Sequence, residues 1–190
     1  ANVKLLTEHL EGSGLGYDED TGVYAAMKLD PNEHFFGLGM DRDSRSFDRR
    51  GNRVVMNNGM KGGYGGNTSD ISGTFFTSTK GYGLYFDNTY ENVTFDMGAT
   101  DNEKYTFNSP NGEMLFYFMA GEKEKTLTDI MKSFANLAGT APMPPQWSLG
   151  YIQYKFGYKS WEEVNKITDT FREKQIPVDP GAGAAPSHQE

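Results

Sequence analysis

Cysteine is absent from the 190-residue chain. Its absence removes disulfides, thiol nucleophiles and thiolate metal sites, and leaves the compartment open, because secreted and cytosolic proteins alike can lack it. Long apolar runs are missing too, so no stretch approaches the length of a membrane span. Positive charge is in deficit, with 18 Lys and Arg against 26 Asp and Glu and a formal net charge of −8. That balance argues against a nucleic-acid partner and against an anionic membrane face, both of which want a basic surface. A neutral ligand is compatible with it. The first residues, Ala1-Asn2-Val3-Lys4, form neither a signal peptide nor an initiator methionine, which suggests a start inside a longer chain.

What is present is core material, 36% hydrophobic and 14% aromatic residues, enough for one or two domains. Residues 1–30 show hairpin grammar, with a strand over 23–29 after the turn at Asp18-Glu19-Asp20. From residue 73 onward strands are expected over 74–78, 82–87, 92–96, 104–107 and 114–119. The turns between them are Lys80-Gly81, Asp87-Asn88, Asp101-Asn102 and Pro110-Asn111-Gly112. This grammar is that of an antiparallel β-sandwich. Its aromatics read as core and cross-strand pairs rather than a sugar-stacking platform.

Several polar stretches invite chemistry. His34 has no second histidine or clustered carboxylate near it in sequence, so a packed or hydrogen-bonded strand-end residue is favoured over a ligand or acid–base group. Asp48-Arg49-Arg50-Gly51 reads as mixed charge on a solvated turn. Residues 56–67 are the glycine-richest stretch and imply a turning loop. They lack Gly-Lys-Ser/Thr and a strand-to-helix context, which excludes a phosphate cradle. Asn67-Thr68-Ser69 and Asn92-Val93-Thr94 match the glycosylation sequon, a pattern too common to carry weight.

At residue 121 the period changes. Leu127, Ile130, Met131, Phe134 and Leu137 recur at helical spacing, Thr126 can cap the start and Gly139 the end. This helix is expected to lay its stripe on the sandwich. Pro144-Pro145 then makes a stiff joint. Residues 147–154 have the composition of a buried strand. Ser160 opens a second helix with Glu163 as its capping-box partner and Trp161, Val164, Ile167 and Phe171 as a buried stripe. Strand, helix and Ile176-Pro177-Val178 make one step of a (β/α)8 barrel.

The string Pro144-Pro145-Gln146-Trp147-Ser148-Leu149-Gly150-Tyr151, then Phe156-Gly157-Tyr158, and Ile176-Pro177-Val178-Asp179 resemble the opening of the catalytic barrel of family 31 glycoside hydrolases, the α-glucosidases, α-xylosidases and relatives. Upstream, Phe35-Phe36-Gly37-Leu38-Gly39, Asp48-Arg49-Arg50-Gly51 and residues 81–88 resemble that family's N-terminal galactose-mutarotase-like sandwich, in the same order. The resemblance implies a mainly β fold, an antiparallel sandwich followed by the first strand-helix step of the barrel. It divides the chain into a sandwich with its C-terminal helix (1–140), a linker and barrel start (141–179) and a flexible tail or appended remnant (180–190).

The resemblance also implies a function: the N-terminal part of a retaining α-glycosidase acting on oligosaccharides or α-glycosides, with both catalytic aspartates on later barrel strands beyond residue 190. The chain alone is then inactive, and it needs the remainder of the barrel as partner. No catalytic residue, no metal and no cofactor is expected within it. Asp179 is read as structural. Tyr158 matches the tyrosine lining the subsite of the cleaved sugar, with Phe156 and Gln153 as weaker neighbours. Asn57 and Asn58 stand in the loop near the leaving-group subsite. There the family often carries Asn-x-Asp; this chain has Asn57-Asn58-Gly59, so the carboxylate is missing, and with it the basis for the usual maltose-type specificity. Two other classes remain open: a non-catalytic carbohydrate-binding or domain-contact sandwich, and a mutarotase-like enzyme. The latter needs paired histidines, and only His9 and His34 precede the tail.

Overall fold

The computed structural model describes residues 6, 14–39, 46–56, 73–121, 126–151 and 158–178. The chain divides into two compact units, Ala1–Gly139 and Thr140–Glu190. In the first, the described residues form β1 (Leu15–Asp18), β2 (Gly22–Lys28), β3 (Phe35–Gly37), β4 (Arg53–Met56), β5 (Phe75–Ser78), β6 (Tyr82–Phe86), β7 (Val93–Asp96), β8 (Lys104–Ser109), β9 (Phe116–Ala120) and the helix α1 (Leu127–Ala138). They pair into a five-stranded sheet ordered β1-β2-β8-β7-β4 and a four-stranded sheet ordered β3-β5-β6-β9. Every pairing is antiparallel. The sandwich read from strand alternation is what the chain forms.

The alternation explains why the sheets close on each other. Val23, Ala25 and Met27 on β2, Phe95 on β7, and Tyr105 and Phe107 on β8 face Phe76 on β5 and Tyr82, Leu84 and Phe86 on β6, all buried. The rings interlock across the gap: Phe86 stacks on Phe107 with centroids 4.3 Å apart, and Phe76 meets Phe95 and Tyr105 edge-on. Each of the larger side chains among them stabilises the fold by roughly 1.5–3 kcal/mol through its burial alone. The aromatics are therefore core, as the sequence implies.

Polar pegs hold the ends. Asn88 is buried and makes four hydrogen bonds: its amide nitrogen donates to the carbonyls of Asn111 and Glu113, and its amide oxygen accepts from the Tyr90 N–H and the Ser109 hydroxyl. It clamps the turn after β8. Helix α1 begins and ends where its residues say it should. The Thr126 hydroxyl accepts from the Asp129 N–H, and Gly139, at φ 85°, closes the end by donating to Ala135 O. Its inner stripe is narrower than expected. Ile130 is buried and Phe134 stacks on Phe75 at 4.0 Å, whereas Leu127, Met131 and Leu137 are exposed. Ile130 seats over Gly83, where a Cβ would lie 2.6 Å from the Ile130 Cγ2 methyl.

Three expectations need correction. First, residues 146–149 are a 3-10 turn, not strand: Ser148 N–H bonds Pro145 O and Gly150 N–H bonds Trp147 O, so the backbone is satisfied locally, and no partner strand is present among the described residues of this unit. Residues 152–157 lie outside the described residues. Second, α2 (Trp161–Glu173) forms with the expected cap, Glu163 N–H to Ser160 Oγ and Lys159 N–H to Glu163 Oε2, but its stripe is not buried. Trp161 is 57% exposed, and none of the helix residues is buried. Third, Asp48-Arg49-Arg50 is not a solvated turn. Arg49 is only 5% exposed, because its charge is taken up by backbone carbonyls. Strand β4, only four residues long, follows it and was not singled out from the sequence.

Candidate functional site

The structurally unusual end of the sandwich is where β3 stops. Gly37, Leu38 and Gly39 take φ of 129°, 61° and 76° in succession, a left-handed run that costs Leu38 on the order of 1 kcal/mol. A Cβ at Gly37 would lie 2.5 Å from Phe75 O, which is why glycine stands there. Burial of the Leu38 side chain in the core helps to offset the strain. The run turns the Gly37 and Gly39 carbonyls to the Arg49 guanidinium, which donates from Nε at 3.0 Å and from Nη2 at 2.8 Å. Arg49 N–H also donates to Phe35 O. One buried cation thus fixes how the chain leaves β3. A Cβ added at Gly73 would lie 3.7 Å from Gly39 N, in ordinary van der Waals contact.

Its neighbours extend the polar framework. The Asp48 carboxyl accepts from His34 Nδ1 at 2.5 Å and from the Phe35 and Arg50 N–H groups. Burial pushes Asp48 up, but the Arg50 N–H, the His34 imidazole and the Phe35 N–H outweigh it and hold the carboxyl below its ordinary value. His34 is the hydrogen-bonded strand-end residue its sequence context favours. Arg50 Nη1 donates to the carbonyls of Asp30 and Glu33.

Glu33 is fully buried, and its carboxylate accepts from Ser78 Oγ at 2.5 Å, Tyr82 OH at 2.6 Å and Asp30 N–H at 3.3 Å. Tyr82 in turn meets Tyr105 OH at 2.9 Å. Desolvation drives both phenols far above their ordinary range, so they stay protonated. The cluster ties β8 of one sheet to β5 and β6 of the other, and offers no acid or base to a ligand. Among the described residues no group of three or more His, Cys, Asp and Glu could hold a metal, and no helix is long and apolar enough to cross a membrane.

Of the residues singled out from sequence, Tyr158 lies two positions before the α2 cap and is 3% exposed. Asn57, Asn58, Gln153, Phe156 and Asp179 lie outside the described residues. Of the expected sugar contacts, Tyr158 alone falls within the described residues. What sequence reading missed is Arg49. The available signal was the Gly-Leu-Gly run preceding it, since a glycine on each side of a leucine marks carbonyls free to turn inward.

Known proteins match the chain in two places. The model of the glycosyl hydrolase 31 N-terminal galactose mutarotase-like domain matches residues 2–96, and the model of the glycosyl hydrolases family 31 TIM-barrel domain matches residues 141–181. Alpha-glucosidase 2 of Bacillus thermoamyloliquefaciens is 32% identical over 181 residues, covering 92% of this chain and 22% of that protein. An alpha-xylosidase of Saccharolobus solfataricus is 26% identical over 171 residues, covering 87% and 22%. A family 31 dextranase of Flavobacterium johnsoniae, solved with isomaltotriose, superposes with a TM-score of 0.76 at 34% identity, covering 92% of this chain and 21% of that one. The chain thus spans about a fifth of the length of these relatives. Sandwich, joint and following helix occur in the family's order, and the chain belongs to glycoside hydrolase family 31, of which it carries the N-terminal mutarotase-like domain and the start of the TIM barrel.

Proposed function

We propose that the protein to which this chain belongs is a retaining α-glycosidase, α-glucosidase-like in its bond type, and that residues 1–140 and 141–179 are its N-terminal sandwich and the opening of its barrel. The observation that carries this reading is the pair of family 31 matches in order along one chain, 2–96 and 141–181. A retaining mechanism needs one carboxylate to attack the anomeric carbon and a second carboxyl group, about 5–5.5 Å away, to protonate the leaving oxygen. Within this chain the buried carboxyl Glu33 is committed to Ser78, Tyr82 and Asp30 N–H and is not free for either role; both catalytic aspartates are proposed to lie on later barrel strands.

The exposed apolar side chains of the 140–190 unit, Met143, Trp147, Leu149, Trp161 and Ile176, support the remainder of the barrel as their partner. Tyr158 is proposed to line the subsite of the cleaved sugar, offering a ring face and a hydroxyl, with Asn57 and Asn58 nearer the leaving group. Oligosaccharides and simple α-glycosides are the proposed substrates. The test is an assay of purified 1–190 and of the full-length parent against aryl α-glucosides and α-xylosides. The parent turns over at least one of them and the 190-residue chain none; clear turnover by the short chain overturns the placement of the catalytic pair.

A further inference from the structure

The outer face of the five-stranded sheet carries a cavity of about 350 Å³ lined by Arg53, Thr94, Asp96, Thr100, Asp101, Lys104, Thr106 and Asn108. That volume is at the small end of the range typical of ligand sites, about 300–1,000 Å³. Register explains its wall. Arg53 pairs with Asp96, Asp96 with Thr106, and Thr94 with Asn108 across β4, β7 and β8. These positions alternate with Val54, Phe95 and Phe107, whose side chains face the core.

The other wall is the 96–101 loop, and it is held in place. Asp96 Oδ1 accepts the N–H groups of Gly98, Ala99 and Thr100, and its Oδ2 accepts the Thr100 hydroxyl. Asp96 is thereby used by its own loop. Lys104 is paired with Asp101 at 3.4 Å. Arg53 and Thr106, by contrast, have no side-chain hydrogen bond or ion pair among the described residues.

We propose that this groove binds a neutral saccharide unit. Two cations and two carboxylates line it, so a net charge on the ligand gains nothing, and the chain's overall −8 further disfavours an anion. Threonine methyls and the aliphatic stems of Arg53 and Lys104 give apolar surface for the C–H face of a sugar. The Arg53 guanidinium and the Thr106 hydroxyl supply uncommitted donors and an acceptor for its hydroxyls. The choice of a glucosyl probe rests on the glycosidase reading above; the groove itself does not.

The test is a titration of the isotopically labelled 190-residue chain with isomaltotriose, followed by amide NMR shifts, with sodium sulfate in a parallel arm. Saturable shifts centred on Arg53, Thr94, Thr106 and Asn108, with a millimolar dissociation constant, are expected. Arg53→Ala and Thr106→Val should each weaken binding about five- to tenfold, the loss of one hydrogen bond, while leaving the remaining spectrum in place. Absence of saturable shifts, shifts confined to other residues, wild-type affinity in both variants, or the same response to sulfate overturns the proposal. If one variant does not fold, the wild-type titration and the other variant decide. No turnover is measured, so an inactive parent leaves this result standing and an active parent does not rescue it.

Discussion

Gly83 and Ile130 form a lock whose two halves can be broken separately and together. A methyl added at Gly83 lies 2.6 Å from Ile130 Cγ2, 3.2 Å from Phe75 Cε2 and 3.3 Å from Phe76 O. The Ile130 methyl cannot swing aside cheaply, because a β-branched side chain in a helix has essentially one χ1 rotamer. Gly83→Ala should therefore lift α1 from the sheet at a cost of about 2 kcal/mol, within the range of overpacking changes. Ile130→Ala removes a fully buried side chain and should cost about 3 kcal/mol. In the double variant the new methyl at 83 occupies room vacated at 130, so the combined loss should be about 3 rather than 5 kcal/mol, a coupling of about 2 kcal/mol.

Urea unfolding followed by far-UV circular dichroism gives these numbers. Tryptophan fluorescence does not, since both tryptophans, Trp147 and Trp161, lie in the 140–190 unit. Losses that add to within about 0.5 kcal/mol would show that the two residues do not share space, and the seating of α1 through Ile130 would have to be abandoned.

Two further outcomes follow from the polar framework. Burial pushes Asp96 up, but the Thr100 hydroxyl and the N–H groups of Thr100, Ala99 and Gly98 together hold it below its ordinary value. A depressed folded value adds stability that is complete above the unfolded value and fades as pH falls through the folded one. The stability gap between wild type and Asp96→Asn should thus be widest near pH 6 and narrow below about pH 4; a gap independent of pH from 6 to 2.5 would contradict it. Arg49→Lys keeps the charge but loses the fork that reaches both Gly37 O and Gly39 O, and should cost about 1–3 kcal/mol in the same urea assay. A loss under 0.5 kcal/mol would mean that the left-handed run holds itself.

The sandwich was legible because its strands obey a period of two and its turns carry glycine, asparagine or aspartate. The caps at Thr126, Gly139 and Ser160 were legible because a cap is a local event. Residues 146–149 were misread for the complementary reason. Aromatic composition says that a segment suits a strand, but a strand also needs a neighbour, and Trp147 and Ser148 bond within their own turn instead. The burial of Arg49 was hidden by its setting among Asp48 and Arg50, which resembles any charged surface turn. Its partners are backbone carbonyls of residues 10 and 12 positions away, which charge patterning cannot show. The candidate site was legible only through family motifs, since no pattern in composition distinguishes a sugar-lining tyrosine from one packed at an element's end.

The clamp at Asn88 has a chemical consequence. Its amide group faces two carbonyls with its nitrogen and two donors with its oxygen, so hydrolysis of that amide to a carboxylate would set oxygen against oxygen on one side. An ageing preparation in which this single ammonia has been lost should therefore open first at the bend between β8 and β9, and the same geometry that makes the residue a good peg makes its deamidated form a wedge.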